Sequence, residues 1–193
     1  NQKCVIQSNI LDDSGSGQHA LKFHGPAWGG SGVLHANGGY TELTVLCDNK
    51  FIGGLGPQII RLTPQSSSHN ERLRNIIFER NWVLGVSATD RFVWIAGTDM
   101  TMRNNLLHAP SAATSALWGF QIEKLGLEVE PTRVQCYNNT IYTAATRSGF
   151  NCVNIDATAV DTTLKNNVGY APNVTGPAFR SGSGASGLVE SNN

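Results

Sequence analysis

An asparagine at the same place in six copies of one short motif constrains this chain more than any other feature. The copies read VIQSNIL, VLCDNKF, IFERNWV, TMRNNLL, QCYNNTI and TLKNNVG, and they align Asn9, Asn49, Asn81, Asn105, Asn139 and Asn167. Three residues before each asparagine stands an apolar residue or cysteine: Ile6, Leu46, Phe78, Met102, Cys136 and Leu164. Two residues after it stand Leu11, Phe51, Val83, Leu107, Ile141 and then Gly169. Successive asparagines are 40, 32, 24, 34 and 28 residues apart, so the motif is constant while the chain between copies varies.

A second element lies between the motifs: LKFHG at 21–25, IRLTP at 60–64, VWIAG at 93–97, FQIEK at 120–124 and VNIDA at 153–157. Each alternates with period two, placing Leu21 and Phe23, Ile60 and Leu62, Val93 and Ile95, Phe120 and Ile122, and Val153 and Ile155 on one face. That is strand periodicity with one buried and one open side. A unit this short cannot bury its apolar side alone and must stack on its neighbours. The repeat therefore predicts an all-β chain, a right-handed parallel β-helix of about six coils with an asparagine ladder. At each corner the asparagine is expected to tolerate left-handed backbone geometry. Its amide is expected to bond to the asparagine one coil away, satisfying a buried polar group along the stack.

These coils resemble the pectate-lyase-like superfamily of right-handed parallel β-helices, which includes polysaccharide lyases, polygalacturonase-type hydrolases and phage tailspikes. The likeness covers about residues 3 to 172 and is specific for fold rather than chemistry, because the ladder is a structural device. It implies that the outward face of the LKFHG-type strands lines a saccharide groove.

Composition narrows the remaining choices. Of 193 residues, 14 are Lys or Arg and 14 are Asp or Glu, a balance that argues against a nucleic-acid partner. No apolar run reaches the roughly 18 residues of a membrane span. The chain enters a strand pattern at once, without an initiator Met or a signal sequence, which predicts a processed protein or a piece of a longer one. Residues 1–172 are read as the β-helix, a fragment lacking its N-terminal cap. Residues 173–193, rich in Gly and Ser, are read as a tail or linker. An uncapped stack would expose its apolar end, which implies a missing capping domain or end-to-end self-association. The four cysteines are too scattered for a disulfide framework, and Cys136 falls in a core column.

The open side of the LKFHG-type strands carries the candidate chemistry. One outward column is Lys22, Arg61, Trp94, Gln121 and Asn154, and the next is His24, Thr63, Ala96, Glu123 and Asp156. Lys22 and Arg61 are either a solvated face or a pair that neutralises a uronate carboxylate and draws off a proton. Trp94 is either a stacking platform for a sugar or packed beneath the segment 25–42. Carboxylates on adjacent coils repel, so Glu123 and Asp156 are expected to share a cation such as Ca²⁺ or to hold one raised pKa as an acid/base pair. Glu128 and Glu130 follow close by and could extend that cluster. His24, Gln121, Asn154 and Trp28 are the expected substrate contacts, with His35 a further one in the Gly-rich segment 27–39. Glu79 and Arg103 share a column on adjacent coils and read as a cross-strand ion pair.

The sequence thus predicts a secreted or cell-surface carbohydrate-active β-helix acting on or binding an acidic polysaccharide, with β-elimination the favoured reaction. Lys22, Arg61, Glu123 and Asp156 are the candidate catalytic groups, and Ca²⁺ at Glu123 and Asp156 is the candidate metal. The alternative is a non-catalytic structural or adhesive solenoid.

Overall fold

The computed structural model describes residues 3–15, 19–23, 40–41, 43–53, 56–63, 72–86, 91–110, 118–125, 131–144, 150–174 and 177–193. Among the described residues there is no helix, and three sheets of parallel strands account for the architecture. The first sheet stacks β1 (Cys4–Gln7), β5 (Thr44–Cys47), β9 (Ile76–Glu79), β12 (Thr101–Arg103), β15 (Gln135–Tyr137), β18 (Thr163–Lys165) and β21 (Val189–Ser191). The second stacks β2 (Ile10–Asp13), β6 (Lys50–Gly53), β10 (Trp82–Gly85), β13 (Leu106–Ala109), β16 (Thr140–Thr143) and β19 (Val168–Tyr170). The third stacks β3 (Leu21–Phe23), β7 (Gln58–Leu62), β11 (Arg91–Ile95), β14 (Trp118–Ile122), β17 (Asn151–Ile155) and β20 (Phe179–Ser181). A short pair, β4 (Tyr40–Thr41) with β8 (Arg72–Leu73), lies beside them. Each coil visits the three sheets in turn, so every strand pairs with its counterpart one coil away. This is a parallel β-helix of about six coils, and parallel crossovers of this kind are right-handed in nearly all proteins.

Register follows the repeat residue for residue. Ile6, Leu46, Phe78, Met102, Cys136 and Leu164 are consecutive Cα partners in the first sheet, as are Leu11, Phe51, Val83, Leu107, Ile141 and Gly169 in the second. The aligned apolar columns face one another across the interior. Phe51 and Phe78 stack there at 5.9 Å between ring centroids. Burying such columns supplies the main stabilisation, about 25 cal/mol for each Å² of apolar surface removed from water.

The ladder satisfies its own polar groups. Asn49 Nδ2 donates to Asn81 Oδ1 at 3.1 Å and to the Ile6 carbonyl at 2.9 Å. The same pair of hydrogen bonds recurs at Asn81, Asn105, Asn139 and Asn167. Each side-chain oxygen also accepts the neighbouring coil's backbone N–H, as Asn81 Oδ1 does from Asn49 N at 3.0 Å.

One expectation is corrected here. Left-handed geometry belongs to the residue before the ladder asparagine: Ser8, Asp48, Arg80, Asn104, Asn138 and Asn166, with φ between 52° and 58° at these and at Asn192. The ladder residue must point both its N–H and its amide along the stack, so the turn is made one position earlier. A second left-handed column, Leu43, Asn75, Asp99, Arg133 and Asp161, marks the corner entering the first sheet.

The Gly/Ser-rich segment 173–193 also departs from the tail that its composition predicts. β20 pairs with β17, β21 pairs with β18, and Asn193 Oδ1 accepts from Asn167 Nδ2 at 3.0 Å as a seventh ladder position. Here Ser181 and Glu190 occupy the register positions that Ile155 and Leu164 hold one coil away, so the apolar pattern is interrupted although Phe179 still pairs with Val153.

Candidate functional site

The third sheet places its outward residues one per coil. Lys22, Arg61, Trp94, Gln121 and Asn154 are consecutive partners, and the column continues to Arg180 on β20. Just past the strand ends, Glu123 N donates to the Ile95 carbonyl at 3.0 Å and Asp156 N to the Ile122 carbonyl at 2.9 Å. The two carboxylates therefore stand on adjacent coils. Thr63 and Ala96, in the same column, are buried rather than open.

A further column was missed by period-two reading: Gln58, Arg91, Trp118 and Asn151 are partners at the first position of their strands. In these strands two successive residues are buried, Ile59 with Ile60 and Phe92 with Val93, because the first of each pair turns into the corner with the second sheet. Alternation breaks there, and the residue before it goes unnoticed; Arg91 and Trp118 are half-buried in this column, Gln58 and Asn151 buried. The signal was the polar or aromatic residue two places ahead of each inward Ile60, Val93, Phe120 and Val153.

These columns converge on a cleft of about 440 Å³ lined by Arg91, Trp118, Gln121, Glu123, Asn154, Asp156 and Arg180, with Ile155, Ala157, Gly182 and Ser183. The structure thus brings together Gln121, Glu123, Asn154 and Asp156. Lys22 and Arg61 pair with each other but do not line it; Arg61 lies two coils from Gln121, about 10 Å at the spacing of parallel strands. His24, Trp28, His35, Glu128 and Glu130 lie outside the described residues.

Local contacts set the character of each group. The Arg91 guanidinium stands 4.3 Å from the Trp94 ring centre and 5.1 Å from that of Trp118. Arg61 lies 5.1 Å from the Trp94 ring and donates from Nε to Thr63 Oγ1 at 2.6 Å. The Trp94 ring is thus engaged by two guanidiniums, an attraction between cation and π-face that also spaces the charges. Gln121 Nε2 donates to Glu123 Oε2 at 2.6 Å. Partial burial pushes the Glu123 carboxyl above the ordinary glutamate range; Asp156 adds to the rise, while Arg91 and the Gln121 bond oppose it. Asp156 Oδ1 accepts from Thr158 N at 3.1 Å and Thr158 Oγ1 at 3.0 Å, a local turn that orients the carboxylate.

Trp94 Nε1, Gln121 Oε1 and Asn151 Oδ1 are among the buried polar atoms of this sheet with no hydrogen-bond partner among the described residues. Native interiors rarely leave such groups unpaired, so their concentration on one face marks it as built for polar company. For Ca²⁺, the cleft supplies two carboxylates and amide oxygens, beside two arginines. No group of three or more His, Cys, Asp or Glu is found among the described residues. Calcium takes six to eight oxygens, so an ion held here would draw most of its shell from a ligand or water.

The other outer faces differ. The second sheet exposes Ile10, Leu106, Val168, Trp82 and Tyr170, with Tyr142 and Tyr170 stacked at 5.8 Å. The first sheet carries an ion network: Arg103 Nε lies 2.5 Å from Glu79 Oε2, and Arg80 contacts both Glu79 and Asp48 at 2.7 Å. The expected Glu79–Arg103 pair is therefore present, but Glu79 is buried, at 8% exposure, rather than free on the surface.

Fold and cleft together define a parallel β-helix with a charged groove on one face. Comparison with protein-family models, with curated proteins and with solved structures finds no match to the chain. No helix of the described residues is long and apolar enough to cross a membrane.

Proposed function

We propose that this chain is a secreted or cell-surface carbohydrate-active β-helix of the pectate-lyase-like kind, binding an acidic polysaccharide along the outer face of the third sheet. The observation that carries this reading is the charge on that face. Although the whole chain has a formal net charge of zero, Lys22, Arg61, Arg91 and Arg180 face two carboxylates there, Glu123 and Asp156. One of those carboxylates has its ionised form disfavoured. A strip of spaced cations with amides and an indole between them suits an extended ligand carrying one carboxylate per unit.

Cleavage by β-elimination fits the same cleft. Arg91 and Arg180 neutralise a uronate carboxylate, which acidifies the adjacent C5–H. Glu123, with its raised proton affinity, takes that proton; the C5–H electron pair forms the C4–C5 double bond as the C4–O bond breaks, and the departing oxygen takes the proton back from Glu123. Lys22 and Arg61, outside the cleft, bind carboxylates of neighbouring sugar units.

Incubation with polygalacturonate, alginate and glycosaminoglycans, with and without Ca²⁺, tests both parts. Binding by calorimetry is expected for at least one of them, and Arg180→Ala should weaken it about tenfold. Absence of binding to every acidic glycan sinks the reading. Binding without the ultraviolet absorbance of unsaturated ends removes elimination and leaves a binding protein.

The exposed apolar face of the second sheet favours one other reading, a structural solenoid that assembles side by side. Ile10 is 74% exposed and Val168 59%, more apolar surface than an isolated strand face usually shows to water. Concentration-dependent oligomers by light scattering, in the absence of any glycan binding, would favour it.

A further inference from the structure

The Gln121 side chain is 4% exposed and lines the cleft, yet its oxygen is unpaired. Its orientation is not free. Glu123 Oε2 is an acceptor, so the amide nitrogen must face it, at 2.6 Å, and the amide oxygen is turned the other way. On the adjacent coil its register partner Trp94 holds a buried indole N–H that is equally unpaired. Of the two, Gln121 lines the cleft and Trp94 does not, so the need left open in the cleft is for a donor to the Gln121 oxygen. A carboxylate can only accept and an ammonium can only donate, but a hydroxyl does both.

We propose that Gln121 is the specificity-determining residue of the groove, its side-chain oxygen reading a free sugar hydroxyl while Arg91 and Arg180 hold the carboxylate. This rests on the saccharide-binding reading above and adds a second requirement to it: charge brings an acidic chain to the face, and an unmodified hydroxyl is needed to seat it. A ligand whose hydroxyl is capped leaves the Gln121 oxygen buried and unpaired, which costs more than a lost contact because the group stays cut off from water. Discrimination against missing hydrogen-bond partners in buried sites is strong for this reason.

The test compares hexameric oligogalacturonate with the same hexamer O-acetylated on its secondary hydroxyls, binding measured by calorimetry to the whole chain. Acetylation keeps every carboxylate and removes O–H donors. The acetylated hexamer is expected to bind about tenfold more weakly, and Gln121→Met, similar in size and lacking the amide oxygen, is expected to erase the difference. Equal binding of the two hexamers overturns the role of Gln121 while leaving the acidic-saccharide reading intact. So does a difference that persists in Gln121→Met, since it would then come from the bulk of the acetyl groups. Failure of both hexamers to bind overturns this inference, and the saccharide reading falls with it only where alginate and the glycosaminoglycans fail to bind as well. Where the variant fails to fold, a deoxy hexamer that lacks the same hydroxyls without added bulk takes its place: weaker binding than the parent hexamer supports the role of Gln121 and equal binding overturns it.

Discussion

At the scale of the residue, Asn105 shows what one ladder position does. Its Nδ2 donates to the Phe78 carbonyl and to Asn139 Oδ1, each at 2.9 Å, while its Oδ1 takes the Asn81 backbone N–H at 2.9 Å and Asn81 Nδ2 at 3.2 Å. Asn105→Ala leaves several of these partners unpaired in a dry interior, and should lower stability by about 3 kcal/mol. Asn9 sits exposed at the first coil, and Asn9→Ala should cost under about 1 kcal/mol. Urea midpoints of the two variants check the contrast; equal losses would show that burial is not what gives the ladder its worth. Glu123 makes a second residue-scale prediction. A base must be deprotonated, so elimination should rise with pH along a limb set above the ordinary glutamate pKa of about 4.3, because partial burial holds the carboxyl high. Glu123→Gln should abolish that limb. The ladder was readable in the sequence because an asparagine pattern repeats; the environment of Glu123 was not, because Arg91 is remote in sequence and comes near it only through the coil.

At the scale of the element, β9 carries the most demanding ion network. Glu79 is nearly covered, and burial by itself would raise its pKa. Hydrogen bonds from Arg103 and Arg80 outweigh that and hold it below the usual range. Since the folded value is depressed, the stabilisation is fully present above the unfolded pKa of about 4.3 and is lost as pH falls through the lower folded value. Thermal unfolding followed from about pH 5 to pH 3 should show a falling midpoint, and Glu79→Gln should flatten the decline. The pairing of Glu79 with Arg103 could be read from equal offsets to the ladder asparagines. Its burial could not, because Arg80 closes over it from the left-handed corner, a position whose geometry the sequence assigned to the next residue. The strands of the third sheet teach the same lesson. Their cores were legible from alternation, but their first residues were hidden where the chain turns a corner and two neighbours are buried together. Gly119 belongs to that turn: a Cβ there would collide with the Cys152 carbonyl and come within 2.9 Å of Ile141 Cγ2.

At the scale of the whole molecule, the stack forms one continuous interior with no covalent staple. All four cysteines are free; Cys47, Cys136 and Cys152 are buried and Cys4 is half-exposed. Burial pushes the Cys136 and Cys152 thiols up to about 12, so they stay protonated and unreactive in the folded chain. A thiol reagent near neutral pH should modify Cys4 first and the other three only at the rate of unfolding. Four equal rates would mean the coils open independently. The fold itself was determined by the sequence alone, since a stacked coil needs only that every repeat present the same face at the same offset, a property that can be counted along a line. Only the tertiary structure decided the cleft. Arg91, Trp118 and Arg180 join Glu123 and Asp156 because the strands of successive coils stack in register although the coils differ in length, and it is the distance between them in space that sets charge, burial and which polar atoms are left without a partner.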